Sequence, residues 1–334
     1  MKALIIKQPG EAIVQSVAEP VVKGQDLLLK VRMIGLCGSD LNSFRGKNPM
    51  VSFPRIPGHE VAATVVQGNS ILAAGTNVTM SPYSNCGKCA SCRRIRPNAC
   101  QFNETLGVQR DGALAEYITM PPEKLYTAKL SVKELCLVEP FTIGFHAVAR
   151  GRVTAHDTVA ILGCGGVGWG AVAACHLRGA RAIAVDVADE KLALARNAGT
   201  DCAINSSQES LHEKLSEFTE GLGPDVIIEA IGMPQTFRAA VEEVAFTGRV
   251  VYIGYAKETV AYETRLFVQK ELDIMGSRNA LPEDFRQVIQ MLEQRLFPVD
   301  DVVSAIIPIE KAPEALRAWT ENPSRFSKIM VSLD

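Results

Sequence analysis

Four cysteines crowd one short stretch of this chain, spaced as Cys86-x-x-Cys89-x-x-Cys92-x7-Cys100. Four thiolates on one loop can close a tetrahedron around zinc. A closed tetrahedron leaves no open position, so the expected role is structural. Lys88, Arg93, Arg94 and Arg96 flank the set and offset its negative charge. An iron–sulfur cluster and four unrelated cysteines are the alternatives.

A second pattern points to a dinucleotide. The apolar run Thr158-Val-Ala-Ile-Leu162 ends at Gly163, and Gly163-Cys-Gly165-Gly166-Val167-Gly168 follows at G-x-G-x-x-G spacing before a helical pattern. Gly163 allows the tight turn, Gly165 lets backbone approach a pyrophosphate, and Gly168 lets the helix pack on its strand. Gly166 and Val167 open that helix, whose free N–H groups face the phosphates. The next apolar run ends at Asp186, 186 − 163 = 23 residues on, close to the roughly 20 such a site requires. Asp186 would accept hydrogen bonds from both ribose hydroxyls, whereas a 2′-phosphate would meet a carboxylate. Val187 and Ala188 bring no positive charge, so NAD is expected rather than NADP.

A third group is dispersed. Cys37 lies in Gly35-Leu-Cys37-Gly-Ser39-Asp40, His59 and Glu60 in Pro57-Gly58-His59-Glu60, and Glu139 in Val138-Glu139-Pro140. Taken singly, each has a bland explanation: a buried thiol, a hydrogen-bonded histidine, or a surface carboxylate at a helix start.

These residues need two kinds of scaffold. Up to about residue 120, short apolar runs alternate with turn signals: Ala3–Ile6, Leu27–Val31, Val61–Gln67, Val78–Ser81 and Ala115–Met120. That rhythm predicts an antiparallel, barrel-like domain. From Thr158 onward, six apolar runs alternate with helical patterns: Val159–Leu162, Ala182–Val185, Cys202–Ile204, Val226–Glu229, Val250–Ile253 and Asp273–Gly276. This is the signature of a doubly wound parallel sheet, and the fold class is α/β. A helix over about 282–294, a strand over 305–309, a helix over 313–320 and a strand over 327–333 come next, and are expected to return to the first domain.

Composition narrows the function classes. The 334 residues suit two domains, and 47% apolar with 22% charged residues suits a globular chain with a sizeable core. A net charge of −2 gives no reason to expect nucleic acid or an acidic membrane surface as partner. The uncharged run 159–175 is shorter than the ~20 residues of a membrane span and is rich in glycine. The run Ala3–Ile6 is too short for a signal-peptide core, so the cytoplasm is expected. In a reducing compartment, the nine cysteines read as ligands or buried thiols.

Together these motifs resemble the zinc-dependent medium-chain dehydrogenases, in the branch of sorbitol, threonine and sugar-acid dehydrogenases. Cys-Gly-Ser-Asp, Gly-His-Glu, the four-cysteine lobe, Asp111-Gly112-Ala-x-Ala115-Glu116-Tyr117, Val-Glu-Pro, the glycine fingerprint and Gly276-Ser277-Arg278-Asn279 come in that family's order along nearly the whole chain. The resemblance implies a GroES-like catalytic domain over 1–144 and 284–334, with a zinc lobe at about 85–101. A Rossmann domain over 145–283 would be inserted into it, with the active site in the cleft between the two. It also implies a catalytic zinc on Cys37, His59 and Glu139, with Glu60 as an exchangeable fourth ligand and Ser39 hydrogen-bonding the reacting oxygen. Alcohol dehydrogenase itself uses two cysteines and a histidine. A carboxylate in place of one thiolate makes a harder site, suited to an oxygen-rich substrate. Where many relatives relay the proton through a histidine, this chain has Asn42, which is no general base.

The implied reaction is hydride transfer between NAD and the secondary hydroxyl of a polyol, sugar or sugar acid. Arg110 and Arg278 are candidates for gripping a carboxylate or polyhydroxyl group, and Arg278 is also counted with the cofactor-binding residues. Phe44, Phe102 and Phe141 could wall the pocket, though aromatics are more often core. An apolar edge strand such as Val250–Ile253 could pair across a homodimer or homotetramer. A zinc-free quinone or enoyl reductase of the same fold would lack the Cys37, His59 and Glu139 set. A non-catalytic dinucleotide-binding protein with only the structural zinc would not need it.

Overall fold

The computed structural model describes residues 1–323 and 326–333. In chain order, its strands are β1 (Lys2–Gln8), β2 (Glu11–Ser16), β3 (Leu27–Gly35), β4 (Glu60–Val65), β5 (Asn77–Met80), β6 (Tyr117–Met120), β7 (Leu125–Thr127), β8 (Thr158–Leu162), β9 (Arg181–Asp186), β10 (Cys202–Asn205), β11 (Val226–Glu229), β12 (Arg249–Tyr252), β13 (Asp273–Gly276), β14 (Ala305–Pro308) and β15 (Ile329–Ser332). By their contacts, residues Met1–Glu139, Leu281–Arg295 and those from Val299 on form one unit, and Pro140–Ala280 with Leu296–Pro298 form a second.

The first unit is built on β3. Along one side β3 pairs antiparallel with β4; along the other it pairs with β6 at residues 27–30 and with β15 at residues 33–35. The register against β4 shifts between Val31 and Met33, a bulge that bends the strand where its other partner changes. The full order is β14-β15-β3-β4-β5-β7, with β6 on β3, and β1 and β2 form a separate hairpin. Inward side chains such as Leu29, Val31, Ile34, Val61, Val78 and Val331 are buried in one core. Period-2 alternation along these strands is what made them legible.

The second unit is a six-stranded parallel sheet in the order β10-β9-β8-β11-β12-β13. That is the doubly wound 3-2-1-4-5-6 arrangement, with its switch point between β8 and β11. Ala160, Leu162, Ile183, Val185, Ile227 and Val250 share one core on one face, and their neighbours Val159, Ile161, Ala182, Ala184, Ile228 and Val251 are equally buried on the other, which is why these strands read as unbroken apolar runs.

One expectation needs correction. The run Val250–Ile253 is not an edge. As β12 it lies between β11 and β13, and the sheet's outer strands are β10 and β13.

The structure also adds β2, β7 and a nineteen-residue helix, Val132–Arg150, carrying Glu139. The helix holds Pro140 in its interior, a residue that argues against helix, and its buried residues lie all around it rather than in a stripe. Its start did carry a signal: Ser131 and Glu134 cap each other's backbone N–H groups, as Ser-x-x-Glu predicts. No helix among the described residues is long and apolar enough to cross a membrane.

Candidate active site and metal centres

In the first unit, β3 delivers Cys37 and β4 delivers His59 and Glu60. Cys37 follows β3 and caps the helix Gly38–Phe44. Asp40, in the first turn of that helix, is buried. Its Oδ2 accepts the Cys37 N–H at 2.9 Å and its Oδ1 accepts the Gly58 N–H at 3.0 Å, so one carboxylate clamps both loops. His59 Nδ1 lies 3.9 Å from Asp40 Oδ1. Donor atoms of Cys37, His59 and Glu60 lie within 4.8 Å of one another.

Glu60 faces Gly35 across the β3–β4 register. A Cβ on residue 35 would sit 2.1 Å from Glu60 Oε2, so only glycine leaves room for this carboxylate. Lys328, just ahead of β15, donates to both Glu60 oxygens and to Leu36 O, and all of this is buried. Glu139 is buried on its helix and accepts a hydrogen bond from the Tyr83 hydroxyl rather than joining the cluster of three.

The electrostatics are those of charge held out of water. Burial opposes a charged His59, but Asp40, Cys37 and Glu139 outweigh it and hold the imidazole well above its ordinary pKa. Burial pushes the Glu139 carboxyl up to about 6; His59 opposes the rise and Glu60 adds to it. Burial raises Asp40, partly offset by His59 and by the two N–H donors. Burial works against a charged Lys328, and Glu60 overrides it upward. His59 Nδ1 and Ser39 Oγ are buried without a hydrogen-bond partner. A thiol, an imidazole and carboxylates crowded this closely fit a zinc ion, which would take the place of the His59 proton and offset the repulsion of Glu60 on Glu139 and Asp40.

The four-cysteine lobe fits zinc on geometry. Cys89 Sγ lies 3.5 Å from Cys92 Sγ and 3.8 Å from Cys100 Sγ. With Zn–S near 2.3 Å, the edge of a regular tetrahedron is about 3.8 Å. Backbone N–H groups of Cys89 and Phe102 point at the sulfurs of Cys86 and Cys100 at 3.4 and 3.3 Å, which favours thiolate. The Ser91 hydroxyl leads the groups that lower Cys89 to about 5, while burial leads those that raise Cys92 to about 11. No disulfide joins any cysteines among the described residues.

In the second unit, the fingerprint behaves as its spacing requires. Gly163 takes φ +101°, and a Cβ on Gly168 would lie 1.8 Å from Gly163 O. A Cβ on Gly165 would meet nothing within 4 Å. The twelve-residue helix Gly166–Leu177 starts there with no side-chain cap, so its first N–H groups remain available to an anion. Asp186 ends β9 buried. It accepts the N–H of Cys164 at 2.8 Å on one oxygen and those of Val187 and Ala188 on the other. The sequence reading missed Lys191, whose Nζ lies 3.8 Å from Asp186 Oδ1; a lysine five residues past the acid, in the next helix, was the available signal.

Other candidates land elsewhere. Arg110 lines a cavity of about 510 Å³ with Arg55, Asp111 and Tyr117, whose walls include none of Cys37, His59 or Glu139. Arg278 follows β13 in the second unit. Phe44 is core of the first unit, Phe141 packs on Phe297 in the second, and Phe102 is exposed.

Known proteins match this arrangement. Residues 23–130 match the family model described as the alcohol dehydrogenase GroES-like domain, and residues 166–294 match that of the zinc-binding dehydrogenases. The chain is 30% identical over 335 residues to an uncharacterized zinc-type alcohol dehydrogenase-like protein of Haemophilus influenzae, covering 98% of each. It is 30% identical over 321 residues to L-galactonate-5-dehydrogenase of Escherichia coli K12, covering 94% of each. Among solved structures, one described as a short chain alcohol dehydrogenase (RspB) from Escherichia coli CFT073, complexed with NADH, superposes with a TM-score of 0.92 at 28% identity, covering 100% of this chain and 99% of that one.

Proposed function

The chain belongs to the zinc-binding alcohol dehydrogenases, oxidoreductases that act on hydroxyl groups with a nicotinamide dinucleotide, and from this we propose an NAD-dependent dehydrogenase of a polyol, sugar or sugar acid. The observation that carries the proposal is the gathering of Cys37, His59 and Glu60 donor atoms within 4.8 Å, in a chain that also holds a four-cysteine cluster. The relative that acts on L-galactonate supports an oxygen-rich substrate with a secondary hydroxyl.

Cys37, His59 and Glu139 would hold the catalytic zinc, and Cys86, Cys89, Cys92 and Cys100 the structural one. Bound zinc supplies Lewis acidity, the effect that lowers the pKa of water from about 15.7 to about 7. Asp40 orients the loops bearing Cys37 and His59. Ser39, with its buried Oγ unpartnered, takes the hydrogen bond of the substrate hydroxyl. Its proton would leave by Ser39, the cofactor ribose and water, since Asn42 offers no base. Gly163, Gly165, Gly166, Val167 and Gly168 would cradle the pyrophosphate, Asp186 would bind the ribose, and Arg278 would add a contact to the cofactor. The Asp186 carboxylate favours NAD; Lys191 beside it neutralises part of that preference against a 2′-phosphate.

We read the assembly as a homodimer or homotetramer, which the outer flank of β13, uncovered among the described residues, supports. The compartment is the cytoplasm, in keeping with nine cysteines and no disulfide.

The test is a panel of polyols, aldonates and sugar phosphates with NAD and NADP, followed by NADH absorbance, alongside metal analysis. Turnover of a polyol or aldonate with NAD, in protein holding two zinc ions per chain, is expected. One zinc per chain and no turnover would instead make the protein a dinucleotide binder.

A further inference from the structure

We propose that Tyr83 is a positioning residue for Glu139: its hydroxyl, carried on the neck of the four-cysteine lobe, fixes the orientation of that carboxylate toward the ion. The inference rests on reading Cys37, His59 and Glu139 as ligands of a catalytic zinc.

Tyr83 and Glu139 are both buried, and the phenol hydroxyl donates to Glu139 Oε1. A carboxylate held in a dry interior takes its direction from the donors that face it. The two partners differ in freedom. Glu139 has three rotatable side-chain bonds, whereas a tyrosine places its hydroxyl with two.

The root of the Tyr83 ring is itself fixed. Tyr83 forms an antiparallel bridge with Thr105. On either side of it, Leu106 N–H donates to Pro82 O at 3.1 Å and Ser84 N–H donates to Glu104 O at 3.2 Å. These bonds close the neck of the lobe: Cys86 lies three residues beyond Tyr83, and Cys100 five residues before Thr105. The fold thus gives the cysteine lobe a hydrogen-bonded tie to the helix Val132–Arg150. Partners of this kind orient metal ligands, and their loss lowers metal affinity by roughly 10- to 100-fold.

The experiment uses the full chain and Tyr83→Phe, which keeps the ring and removes only the hydroxyl. Zinc content, competition for Zn²⁺ against a chelator, and the visible spectrum after Co²⁺ is loaded into the second site are measured in both proteins. Tyr83→Phe is expected to keep its fold and its four-cysteine ion. It should lose about tenfold or more in affinity for the second ion, and its cobalt bands should shift as the ligand field changes. If the wild type holds two ions, and Tyr83→Phe matches it in affinity and in spectrum, the positioning role is overturned. Failure of the underlying reading looks different: Glu139→Ala would then hold its second ion as tightly as the wild type, or the wild type would hold only one.

Discussion

The ammonium of Lys328 lies 2.8 and 2.7 Å from the two carboxylate oxygens of Glu60, across 268 residues of chain. Both side chains are buried, and Lys328 spends its remaining reach on Leu36 O. Any role for Glu60 as an exchangeable zinc ligand therefore requires it to leave a cation that grips it at both oxygens. A buried pair of this kind is costly to break from one side, because the survivor is an uncompensated charge.

Lys328→Met should lower unfolding free energy by about 3–5 kcal/mol in metal-stripped protein. The double variant Lys328→Met with Glu60→Gln should recover most of that loss. Urea unfolding followed by circular dichroism measures both. A single variant as stable as the wild type would show that the pair does not hold the sheet together.

His59→Ala and Cys37→Ser each remove a donor from the cluster of three. Turnover should fall on the order of a thousandfold, the scale of several kcal/mol of lost charge stabilisation. NAD affinity by titration calorimetry should stay within about twofold, because neither substitution touches the fingerprint glycines or Asp186. Normal turnover in either folded variant would sink the zinc mechanism.

Zinc binding at the second site should tighten as pH rises through 6. Metal-free Glu139 keeps its proton up to about pH 6, and His59 holds one above its ordinary range. The ion must displace both, so each proton released gives about tenfold per pH unit below its pKa. Without metal the sign for stability reverses. Folded Glu139 binds its proton more tightly than the unfolded chain, so its contribution falls between pH 4.5 and about 6. Chelator competition from pH 5 to 7.5 is the check, and flat affinity would contradict the ligand assignment.

Two glycines of the fingerprint should fail in different ways. Gly168→Ala puts a methyl 1.8 Å from Gly163 O and should destabilise the second unit by at least 1–3 kcal/mol. Gly165→Ala meets no protein atom within 4 Å, so it should melt like the wild type yet lose NAD affinity, since the methyl enters the space a pyrophosphate needs. Thermal melts with and without NAD separate the two. Undiminished NAD binding by Gly165→Ala would move the phosphate site elsewhere.

What the sequence disclosed was what short range encodes. The four cysteines span fifteen residues, and the glycine turn joins a strand to the helix directly after it, so spacing alone announced both. The strands of the second unit were legible because burial on two faces leaves apolar runs without interruption. Long-range partners were not. Nothing local to Glu60 announces Lys328, and nothing local to Glu139 announces Tyr83, 56 residues away. The placement of β12 failed for the same reason: a strand is an edge only if no later strand pairs with its free flank, and β13 covers that of β12. The helix Val132–Arg150 was hidden because Pro140 and all-round burial erase the helical stripe.

The position of β15 between β14 and β3 sets an order on biosynthesis. The nucleotide-type sheet is drawn from one continuous stretch, Pro140–Ala280, and can assemble while the ribosome is still translating. The other sheet cannot finish: the Met33–Gly35 end of β3 waits with a bare flank, and Glu60 without its cation, until residues 328–332 have been made. A nascent chain stalled shortly before that point would display a sticky strand margin beside a buried carboxylate still lacking its lysine, an attractive target for chaperones and proteases alike.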